Sequence, residues 1–395
     1  MRVISGGITA PKGFEASGIH CGIKYKNKDL ALIHSSIPSL ACGVFTQNKV
    51  KAAPLKVTQR HLQEAKAQAV IINSGNANCC TGRGGIGDAE KMCKAVAKSL
   101  SLKTKDVLVA STGIIGQRLP LKKIRNKIPF LVGSLSKQRG LQAAQAIMTT
   151  DTLPKQISVE LNLGQTVVRI GGMAKGAGMI SPHLATMLAF ITTDALIEKV
   201  RFKKALKAAV ENSFNLITVE GDTSTNDMVL ALANGLAANK RFTTQEFGVF
   251  QEALNFVCIS LAKAIIQDAE GATKFIEVRV EGAKSMVQAK LVAFKVANSP
   301  LVKTAIFGEN PNWGRIAAAV GCADKAVRED RLSIDLGQVK VLQKGAGLKV
   351  DQKKLKRIFK EKEIQIKIDL GLSKFAAKVF TCDLSNEYIK INAEY

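Results

Sequence analysis

The feature that most constrains the fold is an irregular succession of strand-like and helical stretches. Two apolar runs, Ile157–Leu161 and Thr166–Ile170, are separated by a short polar segment with Gly164, which predicts a β-hairpin. Longer stretches elsewhere repeat their apolar residues at helical spacing. Because hairpins and helices are mixed, the sequence predicts an α/β fold of the layered α+β kind rather than a regular series of βαβ units.

The same periodicities predict the other elements. Further strands are expected at Leu30–Ile33, Ala69–Ile72, Val107–Ala110, Leu188–Thr193, Phe275–Val280, Leu332–Leu336, Val339–Leu342, Ile364–Leu370, Ala376–Phe380 and Tyr388–Ile391. Helices are expected at Pro54–Ala65, Asp88–Leu100, Leu121–Ile128, Phe202–Ser213, Met286–Ala297 and Gln352–Lys360.

Three local signals bear on where helices begin and end. Asp88 is the expected N-cap of its helix, and Pro129 is expected to end the helix that starts at Leu121. Thr243 and Glu246 form a capping box, which predicts a long helix reaching about Gln267.

The chain is strongly basic. It has 57 Lys and Arg against 32 Asp and Glu, a net charge of +25. The positive residues are scattered, with the densest run at Lys353–Lys362, and aromatic residues make up only 5% of the chain. A nucleic-acid site usually concentrates its positive charge on one face. The pattern favours a solvated basic surface, so we expect small-molecule substrates and no nucleic-acid partner.

We expect neither a leader nor a membrane span. Residues Met1–Phe14 contain no apolar stretch of the length that a signal peptide needs, and no run of 18 apolar residues occurs. We therefore expect a cytoplasmic protein with no membrane partner.

Metal, nucleotide and hydrolase motifs are weak. The eight cysteines contain no C-x-x-C pair, and with four histidines they offer no zinc-site spacing, so no metal is expected. Residues Gly82–Gly87 match G-x-G-x-x-G, but Asn73–Cys80 separate them from the preceding strand. A dinucleotide loop follows its strand directly, so we interpret the glycines as a flexible connection ending at the Asp88 cap. No G-x-S-x-G elbow is present.

The most informative segment runs from Gly171 to Asp194. Its first part is rich in glycine around Lys175, which suits a backbone that approaches a ligand or adopts positive φ. Lys175 can hold a carboxylate there, and the alternative is a solvated loop lysine. His183 can orient a nearby hydroxyl, or it is an ordinary surface or core histidine.

Thr186 stands at the start of the apolar run and can carry out a specific reaction. Its hydroxyl can attack the carbonyl of Ala185 and shift the acyl group from nitrogen to oxygen, after which hydrolysis frees a chain that begins at Thr186. The new α-amino group, with an unperturbed pKa of about 7.7–8.0, can take the proton from its own hydroxyl. An ordinary buried strand threonine is the alternative.

The chain resembles the self-cleaving ornithine acetyltransferase family, also described as bifunctional glutamate N-acetyltransferases. The resemblance is carried by blocks in family order along nearly the whole chain: Ala10–Phe14, Cys21–Lys24, Asn73–Asn78, Ser111–Gly116, Met148–Thr152, Gly171–Leu188, Glu220–Asp227, Asp268–Lys274 and Asn310–Arg315.

The resemblance implies roles for individual residues. Thr186 matches the nucleophile, with self-cleavage between Ala185 and Thr186, and Thr112 with Gly113 matches the pair that stabilises the oxyanion. The residues that match substrate-binding positions are Thr149, Lys175, Thr186, Glu270 and Asn392. The blocks at 222–227 and 310–315 match no catalytic role, and each either contacts the ligand or forms a structured loop.

The resemblance also implies the reaction and the assembly. Acetyl moves from N-acetylornithine to Thr186 and then to glutamate in ping-pong order, with no cofactor and with acetyl-CoA as an optional second donor. The implied organisation is a segment 1–185 with the oxyanion site and Lys175, and a segment 186–395 that starts at the nucleophile. The two fragments stay associated and pair into a heterotetramer, in a layered fold like that of certain aminopeptidases.

One departure and two rival hypotheses remain. The family continues beyond its asparagine to a terminal hydroxyl residue that contacts substrate, whereas Tyr395 follows Asn392 here by three residues.

A self-processing amidase or aminopeptidase would pass the acyl group to water instead of glutamate. A basic nucleic-acid-binding protein would keep Thr186 as a core residue.

Overall fold

The computed structural model describes residues 1–180 and 187–394. The predicted cleavage site at Ala185 and Thr186, together with His183, lies outside the described residues. The described chain divides into two compact units: the first comprises Met1–Ala177, 187–215 and Thr223–Ile265, and the second 178–180, Leu216–Asp222 and 266–394.

The first unit contains most of the strands. Its strands are β1 (Arg2–Ile4), β2 (Phe14–Ile19), β3 (Leu30–Phe45), β4 (Lys66–Asn76), β5 (Val107–Ile114), β6 (Lys155–Leu163), β7 (Thr166–Lys175), β8 (Leu188–Thr193) and β9 (Met228–Ala233). Its helices are α1 (Ala53–His61), α2 (Gly82–Leu100), α3 (Leu121–Gly133), α4 (Gly140–Ala146), α5 (Lys199–Glu211) and α6 (Thr244–Gln267).

These strands form one mixed sheet. Their order is β1-β6-β7-β8-β9-β3-β4-β5, with β2 paired to β3. Pairing is antiparallel except between β8 and β9 and between β4 and β5. The parallel pairs put the carboxyl ends of β4 and β5 side by side, which is where the predicted Thr112 and Gly113 lie.

The sheet is apolar on both faces. In β4, Val70 and Ile72 belong to one core cluster, while Ala69 and Ile71 belong to another. Successive side chains of a strand point to opposite faces, so each face has its own core. Apolar residues of α4 fill the first cluster, and those of α2 and α3 fill the second. The sheet thus lies between two helical layers, and residues at strand ends are held from both sides.

The second unit follows in the chain. Its strands are β10 (Phe275–Ala283), β11 (Ser333–Leu336), β12 (Val339–Gln343), β13 (Ala346–Gly347), β14 (Glu363–Asp369) and β15 (Phe375–Cys382). Its helices are α7 (Met286–Ala297), α8 (Pro300–Phe307), α9 (Trp313–Gly321), α10 (Gln352–Lys360) and α11 (Asn386–Glu394).

The second sheet has the order β13-β12-β11-β14-β10-β15. Along β14, Ile364, Ile366 and Ile368 are buried in alternation with more exposed polar residues. Side chains of α7, α9 and α10 pack on the same core cluster as these isoleucines. This alternation is typical of a sheet that buries one face against helices.

Helix α6 is long and apolar enough, by length and composition, to cross a membrane, and half of its most apolar window is buried within the protein. Its buried residues recur every three or four positions, among them Phe250, Leu254, Val257, Leu261 and Ile265. That spacing forms the stripe of a helix that packs on a protein core, and core helices pass the same length test.

The layered α/β prediction is confirmed. The predicted hairpin is present as β6 and β7, with Gly164 at φ 60° in the turn. The strand Leu188–Thr193 and the helices Met286–Ala297 and Gln352–Lys360 have the predicted bounds. Long apolar periodicity located these elements well because burial, not local propensity, stabilises them.

The glycines at Gly82–Gly87 are not a flexible connection. They form the first turns of α2, and Asp88 is not an N-cap but lies inside the helix. Its carboxylate accepts hydrogen bonds from Arg118 at 3.0 and 2.7 Å. Glycine is a poor helix former, so the prediction weighed local propensity too heavily against packing.

Two other predictions were wrong. Pro129 does not end α3, which continues to Gly133; the ring is exposed, and Ile124, Ile128 and Leu131 bury the opposite side of the helix. The predicted strand Tyr388–Ile391 belongs to α11, where Ser385 Oγ accepts the Tyr388 N–H at 3.2 Å. The N-capping serine was a sequence signal for this helix, but the apolar pattern of residues 388–391 favoured a strand instead.

The predicted segments 1–185 and 186–395 do not coincide with the compact units. Strand β8 follows the predicted boundary but pairs with β7, which precedes it, and with β9. A break at that boundary would therefore leave both sets of interstrand hydrogen bonds in place.

The capping box of α6 is observed and can be tested. The Thr243 N–H donates to Glu246 Oε2 at 2.8 Å, and the Glu246 N–H donates to Thr243 Oγ1 at 3.2 Å. Replacing Thr243 by Ala should lower the free energy of unfolding by about 1 kcal/mol, because one helix N–H loses its acceptor. Thr243→Ser keeps the hydroxyl and is the matched control. Urea denaturation that shows equal stability of both variants would rule out a stabilising cap.

Candidate active site

The carboxyl ends of β4 and β5 form a tightly packed backbone site. Ser74 pairs with Thr112, and Gly75 pairs with Gly113, before the register shifts at Asn76. Gly113 has φ 128°, and a Cβ there would overlap the backbone of Gly75 and Asn76. Only glycine suits both the conformation and the close approach, so this stretch of backbone has one well-defined arrangement.

Asn226 holds the same site from the side of β9. Its Nδ2 donates to the carbonyl of Ser111 at 2.8 Å and to that of Ala77 at 2.7 Å. Thr112, which follows Ser111, is buried. The Asn226 amide thereby fixes the backbone that precedes the predicted oxyanion pair, which identifies part of the block 222–227 as a structured loop.

Lys175 is buried at the end of β7. Its side chain is only 2% exposed, so the alternative of a solvated loop lysine is wrong. Its Nζ donates to Thr149 Oγ1 at 2.6 Å. The structure therefore brings together two of the residues predicted to bind substrate.

Asp151 organises this pair, and the sequence analysis assigned it no role. Its carboxylate accepts the backbone N–H of Gly176 and the Nζ of Lys155, both at 2.7 Å, and the backbone N–H of Thr149 at 3.0 Å. The Lys175 Nζ lies 3.9 Å from the same carboxylate. Burial alone would raise the pKa of Asp151, but Lys175, Lys155 and the Gly176 N–H together hold it well below its ordinary value.

Lys24 adds a further positive charge near Thr149. Its Nζ donates to the carbonyl of Met148 at 2.6 Å. Burial lowers the pKa of Lys24 to about 8, and repulsion by Lys175 adds to the effect while Asp29 and Asp151 oppose it. Two mutually repelling lysines in this region suit a ligand that carries negative charge.

Asp227 contacts the first described residue after the predicted nucleophile. Its Oδ1 accepts the N–H of Met187 at 3.0 Å, and Met187 begins the approach to β8. Burial raises the pKa of Asp227 well above its ordinary value, while the Met187 N–H, Ser224 and the charge of Lys175 act in the opposite direction. A fully buried carboxyl in this position was not singled out from the sequence.

In the second unit, Glu270 and Asn392 lie together. Asn392 Nδ2, on α11, donates to Glu270 Oε2 at 3.0 Å. Gly178 lies against the same carboxylate, since a Cβ at that position would overlap the Glu270 oxygens. The structure thus places two predicted substrate residues in contact, next to a glycine that leaves room for the carboxylate.

A second carboxylate lies near Glu270. Glu220 Oε2 accepts the N–H of Ile180 at 2.9 Å. Burial raises the pKa of Glu220, and the charge of Glu270 adds to this. Burial also raises the pKa of the Tyr388 hydroxyl, with Glu220 contributing further. Two carboxyl groups thus lie close together in the second unit, which suits a ligand that carries an ammonium group.

Two residues of the glycine-rich segment are explained by packing. Gly171 lies within β7, where a Cβ would overlap the carbonyl of Gly7. Gly172 lies under Val257 and Leu261 of α6. Neither residue has a positive φ, so that part of the prediction was wrong for these two glycines, whereas Gly176 has φ 157°.

Among residues 1–180 and 187–394, no group of three or more His, Cys, Asp or Glu is arranged to hold a metal ion. The charged groups around Asp151 are satisfied by lysines and backbone N–H groups.

The sequence profile of the ArgJ family matches residues 15–395. The chain belongs to the ArgJ family. The arginine biosynthesis bifunctional protein ArgJ of Dehalococcoides mccartyi is 49% identical over 99% of this chain and 97% of that protein. The protein of the same name from Caldanaerobacter subterraneus is 48% identical over the full length of both.

A solved structure is also similar. The ornithine acetyltransferase of Mycobacterium tuberculosis in complex with ornithine is 44% identical, over 46% of this chain and 97% of that chain, with a TM-score of 0.43.

The buried charge at Asp151 leads to a prediction about stability. Asp151→Asn should lower the free energy of unfolding by about 3–5 kcal/mol, because Lys155 and Lys175 would lose a buried carboxylate. Since folding lowers the pKa of Asp151, its stabilising effect is present above the unfolded pKa of about 3.9 and is lost as the pH falls below it.

Urea denaturation at neutral and acidic pH measures this effect. Asp330→Asn is the control, since Asp330 pairs with Arg328 on the surface and should change stability little. Equal stability of Asp151→Asn and the unaltered protein at neutral pH would contradict the role given to this carboxylate.

Proposed function

We propose that this chain transfers acetyl from N-acetylornithine to glutamate, through an ester on Thr186. The observation that carries the proposal is membership of the ArgJ family along residues 15–395, with full-length relatives named for arginine biosynthesis. The pairs Lys175–Thr149 and Glu270–Asn392 support it, since they supply the charges that amino-acid substrates need.

The proposed reaction proceeds in two halves. The Thr186 hydroxyl attacks the acetyl carbonyl, its proton passes to the leaving nitrogen, and ornithine departs as the free amine. The α-amino group of glutamate then attacks the ester, and the proton from that amine returns to the Thr186 oxygen. Each half passes through an oxyanion, which the Thr112 hydroxyl and the Gly113 N–H stabilise in this proposal; one such donor is typically worth about 10²–10³ in rate.

Charge suggests how the substrates are held. The ammonium of buried Lys175 binds a substrate carboxylate, and Thr149 orients that lysine. Glu270 binds a substrate amino group, and Asn392 orients the carboxylate. Both donor and acceptor are amino-acid derivatives, so each of these charged groups can serve in both halves of the reaction.

The nucleophile is released by self-cleavage between Ala185 and Thr186. The segments on either side stay associated because β8 is hydrogen bonded to β7, and β9 to β3, across the cut within one sheet. In this proposal, two such cut chains pair into a heterotetramer and the enzyme is cytoplasmic. It needs no resident cofactor, and acetyl-CoA serves as a further acetyl donor.

The nucleophile can be tested directly. Thr186→Ala should yield one uncut chain without acetyl transfer, because the hydroxyl is required for both reactions. Thr186→Ser is the matched control and should retain cleavage and part of the transfer. Intact mass and an assay of N-acetylornithine with glutamate check both variants; full transfer by Thr186→Ala would exclude the mechanism.

The position of the Glu270 carboxylate can be tested without removing it. Gly178→Ala should displace the Glu270 oxygens and raise KM for glutamate and N-acetylornithine, because the added methyl occupies their place. Glu270→Ala should raise KM as well, and both variants should still be cut.

Gly87→Ala is the control for added methyl groups. Nothing lies within 4 Å of a Cβ at that position, so KM should not change. An unaltered KM in Gly178→Ala and Glu270→Ala would remove Glu270 from the substrate site.

A further inference from the structure

A groove on the first unit is lined by lysines. It is formed by α5, by the end of β3 and by the loop 46–52, and its volume is about 630 Å³. Lys49 and Lys51 of the loop and Lys203 and Lys207 of α5 line it. We call it the lysine groove. Pockets for small organic molecules have volumes of this order.

The charge of these lysines is not balanced locally. Among the described residues, no Asp or Glu lines the groove, and none of the four lysines forms an ion pair. The acids nearest to them along the chain have other partners: Glu198 lies 3.6 Å from Arg241, and Glu211 accepts a hydrogen bond from Asn215 at 2.9 Å. Four ammonium groups around one groove produce a field that attracts an anion.

The loop that carries two of the lysines is fixed in place. Thr46 Oγ1 donates to the carbonyl of Ser224 at 2.9 Å, and Asn48 Nδ2 donates to the carbonyl of Thr223 at 2.8 Å. Both bonds join the loop to the segment that precedes β9. The backbone on this side of the groove is therefore ordered before a ligand arrives, which lowers the entropic cost of binding.

The opposite side of the groove is a helix. Lys203 and Lys207 are four residues apart on α5, so their side chains lie on the same face. Phe202 and Leu206, which precede them, are buried and hold the helix on the protein core. Two pairs of ammonium groups thus face one groove from two fixed elements.

The groove reaches the edge of β3. Strand β4 pairs with β3 only as far as Leu40, and beyond it β3 pairs with β9 alone. The N–H of Ala41 donates to the carbonyl of Ala65, away from β9. By alternation along the strand, the backbone N–H and C=O groups of Gly43 and Phe45 point the same way. Both residues line the groove, so this edge offers donors and acceptors to a ligand.

Apolar side chains complete the lining. Val44 and Phe45 are half-buried and line the groove together with Leu206. Cys42 lines it as well, but burial raises the pKa of its thiol to about 12, so the thiol stays protonated at neutral pH. A protonated thiol is a weak nucleophile, and the groove is therefore suited to binding rather than to covalent chemistry.

We propose that the lysine groove binds an organic phosphate. Lys49, Lys51, Lys203 and Lys207 hold the phosphate groups, since bonds from an ammonium group to a phosphate are roughly twice as strong as bonds between neutral groups. The organic part lies on the apolar side chains and the edge of β3. The proposal does not depend on the acetyl transfer proposed above.

Two sources supply this chemistry. A free nucleotide carries phosphates on a nucleoside. Coenzyme A carries the same kind of group and, in addition, a chain with two amides that matches the alternating donors and acceptors at the edge of β3. Both are organic phosphates, and they differ in the part that the strand edge would contact.

Isothermal titration calorimetry on the full chain separates these sources. ADP and coenzyme A should bind, pantetheine without phosphates should not, and inorganic diphosphate should bind about tenfold more weakly because it buries no apolar surface. Tighter binding of coenzyme A identifies the amide chain as part of the ligand, and tighter binding of ADP identifies a free nucleotide. If neither binds with a Kd below about 1 mM, or if diphosphate binds as tightly as both, the proposal is refuted.

A double variant locates the site. Lys203→Gln combined with Lys207→Gln should weaken the binding of ADP and coenzyme A about tenfold or more, because two charge-assisted bonds are lost. Lys49→Gln combined with Lys51→Gln should act in the same direction from the other side of the groove. Unchanged affinity in both double variants would overturn the assignment.

Lys356→Gln combined with Lys360→Gln is the matched control. These lysines are exposed and four residues apart on α10, and they do not line the groove. The control therefore lowers the net charge by the same amount, and its affinity for both ligands should equal that of the unaltered protein. An equal loss in the control would attribute binding to net charge and exclude the groove. Thermal unfolding verifies that every variant is folded.

Discussion

Strand β8 pairs with β7, which precedes the predicted cleavage site in the chain, and with β9, which follows it. The rest of the structure depends on this pairing. Its antiparallel bonds to β7 and parallel bonds to β9 place Met187 beside Asp227 and Lys175 at the adjoining end of β7. Because the sheet carries a helical layer and an apolar core on each face, these positions are fixed by burial rather than by a single loop.

Electrostatics follow from that placement. Asp151 neutralises the charges of Lys155 and Lys175 where water is largely excluded. The same carboxylate accepts the backbone N–H groups of Thr149 and Gly176 and so orients the backbone there. A buried charge is tolerated only when such partners are present. Asp151 therefore positions Lys175, the lysine proposed to bind a substrate carboxylate, without having to contact the substrate itself.

The sequence predicted the layered fold and the elements whose apolar periodicity is long, such as β8 and α7. It failed where tertiary packing outweighed local rules, as in the glycine-rich start of α2 and at Pro129 inside α3. The family resemblance predicted Lys175, Thr149, Glu270 and Asn392 as individual site residues. It did not predict the contacts Lys175–Thr149 and Glu270–Asn392. Asp151 and Asp227 were missed because carboxyl burial depends on residues far apart in the chain.

Because of the position of β8 within the sheet, cleavage also changes how the protein can refold. An uncut chain brings β7 and β8 together through a connection of about a dozen residues, so its assembly is independent of protein concentration. Once that connection is severed, the same sheet joins two separate polypeptides, and recovery from full denaturation becomes a bimolecular encounter. Chain scission would then make the active form dependent on having folded first.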